Sequence, residues 1–195
     1  MNCTLERGFK SWAERTATSL RTELGLGSCD PLGPLVLANY LEVLLWTPQD
    51  VPGLPSNALD QLLHNDPWGW SAISVVQNPT TVVIYNPKHS PGRQSSDIVH
   101  ELAHLILGHE PAKLIVSHDG SFVMRSYDQK DEDQANWLAW SLLLPRDGLV
   151  TCKRRRLTAE EIANQFGVTE TLVNFRLRMT GVERQFSAAP RYHRS

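Results

Sequence analysis

The stretch Asp97-Ile98-Val99-His100-Glu101-Leu102-Ala103-His104-Leu105-Ile106-Leu107-Gly108 decides how the rest of the chain is read. It carries H-E-x-x-H inside an apolar run of helical pattern. Histidines four residues apart lie on one helix face, so His100 and His104 are placed to grip one metal ion. Glu101 stands beside the first of them and is placed to deprotonate a water. Leu102, Ala103, Leu105, Ile106 and Leu107 mark the helix as buried. Buried histidines and a buried carboxylate need partners, and a merely structural histidine pair leaves Glu101 without a role.

Upstream, Ser95 or Ser96 is expected to cap this helix, with Asp97 in its first turn suiting the helix dipole. Asn86 to Arg93 reads as a Pro/Gly loop. Thr80 to Tyr85 is dense in β-branched residues and gives the strongest strand signal; Ser71 to Gln77 is a second, joined to it by a turn at Asn78-Pro79. Trp68-Gly69-Trp70 is read as opening the earlier strand. The edge of the Val82–Tyr85 segment is a candidate for pairing with an extended substrate. Further back, Ser56-Asn57 starts a short helix through His64, and the apolar run Leu35 to Trp46 reads as one buried helix. Residues 5 to 24 carry Leu5, Phe9, Trp12, Ala13, Thr16, Leu20 and Leu24 at helical spacing.

Downstream, Gly108 stops the helix and Pro111 keeps it from resuming. Short strands are expected at Leu114 to Val116 and Phe122 to Arg125, then a strong helix from Asp131 to Leu144, ended by Pro145. A catalytic metal of the zinc kind takes three protein ligands and keeps one position open. His109 misses the spacing of a third motif histidine and would sit about 140° round a helix from His104. It is read as a cap, or as a partner that orients a ligand. Glu132 is the better third ligand. It shares its helix face with Ala135, Asn136, Ala139 and Leu143, and the two alanines let that helix come close. Asp131 is a weaker candidate, and Asp133 points toward Trp137 and Trp140. Asn136, one turn after Glu132, is placed to hydrogen-bond a ligating histidine and fix its tautomer. A donor to a developing oxyanion would come from Tyr127, His118 or His109.

Together, H-E-L-A-H-L-I-L-G-H at 100–109 and E-D-Q-A-N-W-L-A-W-S-L-L-L-P at 132–145 resemble the ImmA/IrrE-type metallopeptidases. The strand end Ile84-Tyr85-Asn86 is also similar, and the likeness covers roughly residues 35 to 180. It implies an α+β, zincin-like fold, a small twisted sheet packed on helices, with zinc held by His100, His104 and Glu132 and Glu101 as base. It further implies proteolysis of a DNA-binding regulator, such as a repressor or antitoxin. Leu138 stands where an aromatic is usual, and Trp140 and Ser141 replace a small-acidic pair. These departures touch packing and leave the ligands intact. Two histidines and a carboxylate also suit Mn2+ or Fe2+.

After the basic run Lys153-Arg154-Arg155-Arg156, residues 158–166 and 169–179 read as a helix-turn-helix-like pair around Ala163, Phe166, Val168, Leu172 and Leu177. Arg154 to Arg156, Arg176 and Arg178 give it positive charge, but Glu170 opens its second helix and faces phosphates poorly, so a protein contact is expected over DNA binding. The expected division is a peptidase domain over 1–150, this unit over 151–183, and a disordered tail over 184–195.

The remaining numbers are those of an ordinary globular chain. Its 195 residues are 41% hydrophobic and 21% charged, with a formal net charge of -2. That charge gives no bulk argument for nucleic acid or membrane binding. The first ten residues contain Glu6, Arg7 and Lys10 and do not read as a signal peptide. Three widely spaced cysteines, Cys3, Cys29 and Cys152, do not form a disulfide framework or a Cys-based zinc site. A cytoplasmic protein is expected from this usage.

Overall fold

A computed structural model describes residues 5–77, 79–109, 114–116, 122–124 and 128–187. It is an α+β fold in which a small sheet packs beside helices. Helix α1 (Phe9–Glu23) buries Ala13, Ala17 and Arg21 at four-residue spacing. Arg21 donates to the carbonyls of Leu142 and Gly27, both at 2.8 Å, and to that of Asp30. These bonds tie the end of α1 to the loop that follows.

The apolar run from Leu35 to Trp46 is not one buried helix. It forms α2 (Pro34–Tyr40), a turn with Glu42 at φ 56°, and strand β1 (Val43–Trp46). Leu35 is 59% exposed, and Val36, Tyr40 and Leu44 are also exposed. Strand β1 exists because a distant segment pairs with it in parallel, which no local periodicity reveals. After α3 (Ser56–Asp60), whose turn widens through Asn65, Trp68 to Trp70 form a turn rather than a strand start.

Strands β2 (Ala72–Gln77) and β3 (Thr80–Tyr85) form the expected hairpin, with Ala72 opposite Tyr85 and Gln77 opposite Thr80. Strand β1 joins the other side of β3, giving the order β1-β3-β2. The Val82–Tyr85 segment is therefore central and paired on both sides. It offers no edge to a substrate; among the described residues the open edges of this sheet belong to β1 and β2.

Helix α4 (Pro91–Leu107) starts earlier than expected: Ser90 is its cap and Pro91 its first residue, not Ser95 or Ser96. Proline is pre-organised for that first position, where its missing N–H is no loss. Ile98, Val99, Leu102 and Ala103 are buried, and Gly108 ends the helix at φ 69°. Strands β4 (Leu114–Val116) and β5 (Phe122–Met124) pair antiparallel. Helix α5 (Gln129–Leu143) is capped by Asp128, whose side chain accepts from Lys130 N.

The remaining helices are α6 (Arg146–Arg154), α7 (Ala159–Phe166), α8 (Glu170–Met179) and α9 (Val182–Ser187). Helix α6, which the reading of the sequence left unassigned, runs without a break through residue 150. Ile162, Phe166, Leu172, Val173 and Leu177 of α7 and α8 belong to the same buried cluster as Leu102 of α4 and Leu138 of α5. Residues 184–187 are part of α9, not of a tail; 188–195 lie outside the described residues. Arg176, counted above as surface charge, is fully buried. Its guanidinium donates to Leu144 O at 2.9 Å and Glu14 Oε1 at 2.5 Å. Gly92, in the first turn of α4, lies against the α7–α8 turn so closely that a Cβ there would meet Val168 C at 2.8 Å and Thr169 N at 3.0 Å.

Candidate metal centre

Helix α4 sets His100 and His104 one turn apart, with their Nε2 atoms 3.1 Å from each other. Helix α5 brings Glu132 onto both: Oε2 lies 3.2 Å from His100 Nε2 and Oε1 lies 3.3 Å from His104 Nε2. One donor atom from each of the three falls within 4.8 Å of the others. Small residues allow this approach, since Ala103 on α4 and Ala135 and Ala139 on α5 are wholly or almost wholly buried. The three side chains remain 13–22% exposed, so the cluster opens to solvent on one side.

The donor set fits a cation. Two imidazole nitrogens and a carboxylate converge on one point, and Glu132 Oε1 is buried without a hydrogen bond among the described residues. Such an orphaned acceptor costs about 1–3 kcal/mol unless something satisfies it. Burial pushes the Glu132 carboxyl up, but its contacts with His100 and His104 outweigh this and hold it at about 2. It is thus an anion at neutral pH. For His100, burial disfavours the charged ring, yet the Glu132 bond and the charges of Glu101, Glu132 and Asp97 raise it overall.

Glu101 lies beside the cluster rather than in it. Burial raises its carboxyl, partly offset by His100, by a hydrogen bond with Ser74 and by His104. Ser74 is buried on β2 and was not singled out from sequence. Its one signal is position: with β2 half-buried, every second residue faces the helices.

The other expected residues divide. His109 stands beside the site, its Nδ1 2.9 Å from His104 Nδ1 and its Nε2 3.2 Å from Gln134 Oε1. Asn136 makes no hydrogen bond to either ligand histidine among the described residues; Gln134, unmarked by the sequence, reaches the site through His109 instead. Asp131 is not a ligand and sits 3.5 Å from His109 Nε2. Asp133 accepts from Gln129 and stays out of the cluster. Tyr127 and His118 lie outside the described residues.

Residues 64–178 match the family described as the IrrE N-terminal-like domain, a peptidase family. The chain belongs to this family. The matched segment spans the sheet hairpin, both site helices and most of the C-terminal pair. A solved structure of a Mycobacterium tuberculosis transcriptional regulator is similar in fold, with a TM-score of 0.52 at 16% identity. That likeness covers 93% of this chain and 48% of the other, so this chain spans about half the length of its structural relative. No curated protein matches the chain. Among the described residues no helix is long and apolar enough to cross a membrane.

Proposed function

We propose that this chain is a zinc endopeptidase that cleaves one protein substrate, a DNA-binding repressor or antitoxin, in the cytoplasm. The convergence of His100, His104 and Glu132 with Glu101 beside them carries the reading. A chain that only bound a partner would have no use for a buried carboxylate at that position. When bound, the ion lowers the pKa of a water and polarises a carbonyl; Mn2+ or Fe2+ would suit the same donors.

His100 and His104 present Nε2, and Glu132 supplies the negative charge. Glu101 takes the proton of the attacking water as the new C–O bond forms. It then passes that proton to the amine as the C–N bond breaks. Its raised carboxyl suits both roles, because a base poised nearer neutrality also returns its proton readily. Ser74 meets Glu101 from β2, and among the described residues β2 has a free edge. An extended peptide pairing with that edge would run beside the base.

The alternative is a peptidase-like regulator that binds DNA or a partner without cleavage, in line with the name of the structural relative. Exposed Arg154, Arg155, Arg156 and Arg178 would serve phosphate contacts. Against DNA, the start of α8, the part of such a helix that reads base edges, is packed at Gly92. The test is incubation of the Zn2+-loaded chain with candidate regulators, alongside Glu101→Gln. Cleavage by the parent and retained metal without cleavage in the variant support the reading. Equal activity in both refutes it.

A further inference from the structure

Helix α4 ends in a turn that brings a third histidine against the site. Gly108 takes the left-handed conformation at φ 69°. Its N–H donates to Leu105 O at 3.1 Å, and His109 N–H donates to His104 O at 3.0 Å. This is a Schellman turn, and it folds the chain back over the last helical turn. A helix continued through residue 109 would carry that side chain about 140° away. The reversal at Gly108 cancels the rotation, so His109 Nδ1 lies 2.9 Å from His104 Nδ1.

The other ring nitrogen of His109 settles where the protons are. Its Nε2 faces two acceptors on α5, Gln134 Oε1 at 3.2 Å and Asp131 Oδ1 at 3.5 Å. Asp131 and Gln134 are three residues apart and share a helix face. A carboxylate only accepts, so His109 Nε2 carries hydrogen even if the Gln134 amide is turned. In a neutral imidazole the remaining nitrogen, Nδ1, is then an acceptor. The hydrogen between the two Nδ1 atoms therefore belongs to His104, which leaves Nε2 as the ring nitrogen open to a cation. That is the atom facing His100 and Glu132.

We propose that His109 is a positioning residue that accepts from His104 Nδ1–H and so turns His104 Nε2 toward the cation, with Gln134 and Asp131 as anchors. The consequence for metal binding rests on the site proposed above, whereas the tautomer is a property of the metal-free chain. His100 has no such device: its Nδ1 is buried and without a hydrogen-bond partner among the described residues. Helix α5 thus serves the site twice, through Glu132 directly and through Asp131 and Gln134 by way of His109.

Long-range proton–nitrogen correlation spectra of the full metal-free chain, with labelled histidines, read the tautomer. Calorimetric titration with Zn2+ reads the affinity. The parent should show His104 protonated at Nδ1. His109→Leu should shift His104 toward the Nε2–H form and weaken Zn2+ by about 10–100-fold. His109→Asn, whose side-chain oxygen can replace the acceptor, should restore both, and the His100 tautomer should not change in either variant. Should His109→Leu not fold, Gln134→Leu combined with Asp131→Ala removes the anchors with the ring in place and must shift the His104 tautomer. A parent with no hydrogen on His104 Nδ1, or variants matching the parent in tautomer and affinity, would overturn the proposal. A chain with the Nδ1–H tautomer that binds no Zn2+ would refute the proposed function while bearing out the assignment.

Discussion

Helices α7 and α8 meet through apolar residues, with side-chain caps at their starts. Thr158 Oγ1 accepts from Glu161 N at 3.2 Å, while Glu161 Oε2 accepts from Thr158 N at 2.8 Å. Gly167 ends α7 at φ 66°, and Thr169 Oγ1 caps α8 by accepting from Leu172 N at 3.3 Å. Helices α4 and α5 do the opposite. Their shared face holds two imidazole nitrogens 3.1 Å apart, a carboxylate against both and, among the described residues, two buried polar atoms without a hydrogen bond, His100 Nδ1 and Glu132 Oε1. Both pairs follow the same rules of helix start and stop. The α7–α8 contact is apolar, whereas the α4–α5 contact gathers polar groups at one spot, as sites of chemistry do.

The contrast can be broken most sharply at Glu101. Glu101→Gln should lower cleavage by about 10²–10⁴-fold with metal stoichiometry unchanged, read by cleavage rate and metal analysis on the same sample. Full activity would remove the functional meaning of the α4–α5 face. Next, Glu132→Ala should release the metal while Asp133→Ala keeps it; the reverse, in an equilibrium dialysis experiment, would move the ligand. Gly92→Ala tests how the two pairs are joined. Its Cβ would press on Val168 and Thr169 backbone, and overpacking of this kind costs about 1–3 kcal/mol, measured by urea unfolding. An unchanged midpoint would mean that the α7–α8 turn yields without cost. The smallest effect belongs to Thr158→Ala, which removes a cap worth about 1 kcal/mol. It should lower stability without altering Zn2+ affinity, so a loss of affinity would show the pairs to be less separate than drawn.

What could be read in advance follows the range of the interactions. His100 and His104 were legible because four residues is nearly one turn. Glu132 was legible because Ala135 and Ala139 mark the face that comes close. Asn136 was chosen by the same argument and makes no such bond: sharing a face does not make a residue reach a particular atom. His109 could be placed near the site only loosely, because a helical wheel does not describe the chain after a left-handed glycine. Arg176 looked like surface charge because nothing nearby in sequence announces that Leu144 O and Glu14, on other segments, surround it. Strand β1 was taken for helix because Val43 to Trp46 is apolar in either conformation, and only its parallel partner β3 decides between them.

The sequence by itself determined the histidine pair with Glu101 beside it, the hairpin and the stop at Gly108. Each depends on backbone geometry within about one helical turn or one strand pair. The tertiary structure alone decided that β3 is central, that Ser74 comes beside Glu101, that Arg176 is interior and that Gln134 reaches His104 through His109. These depend on segments far apart in the chain, where burial and pairing are properties of the partner as much as of the residue.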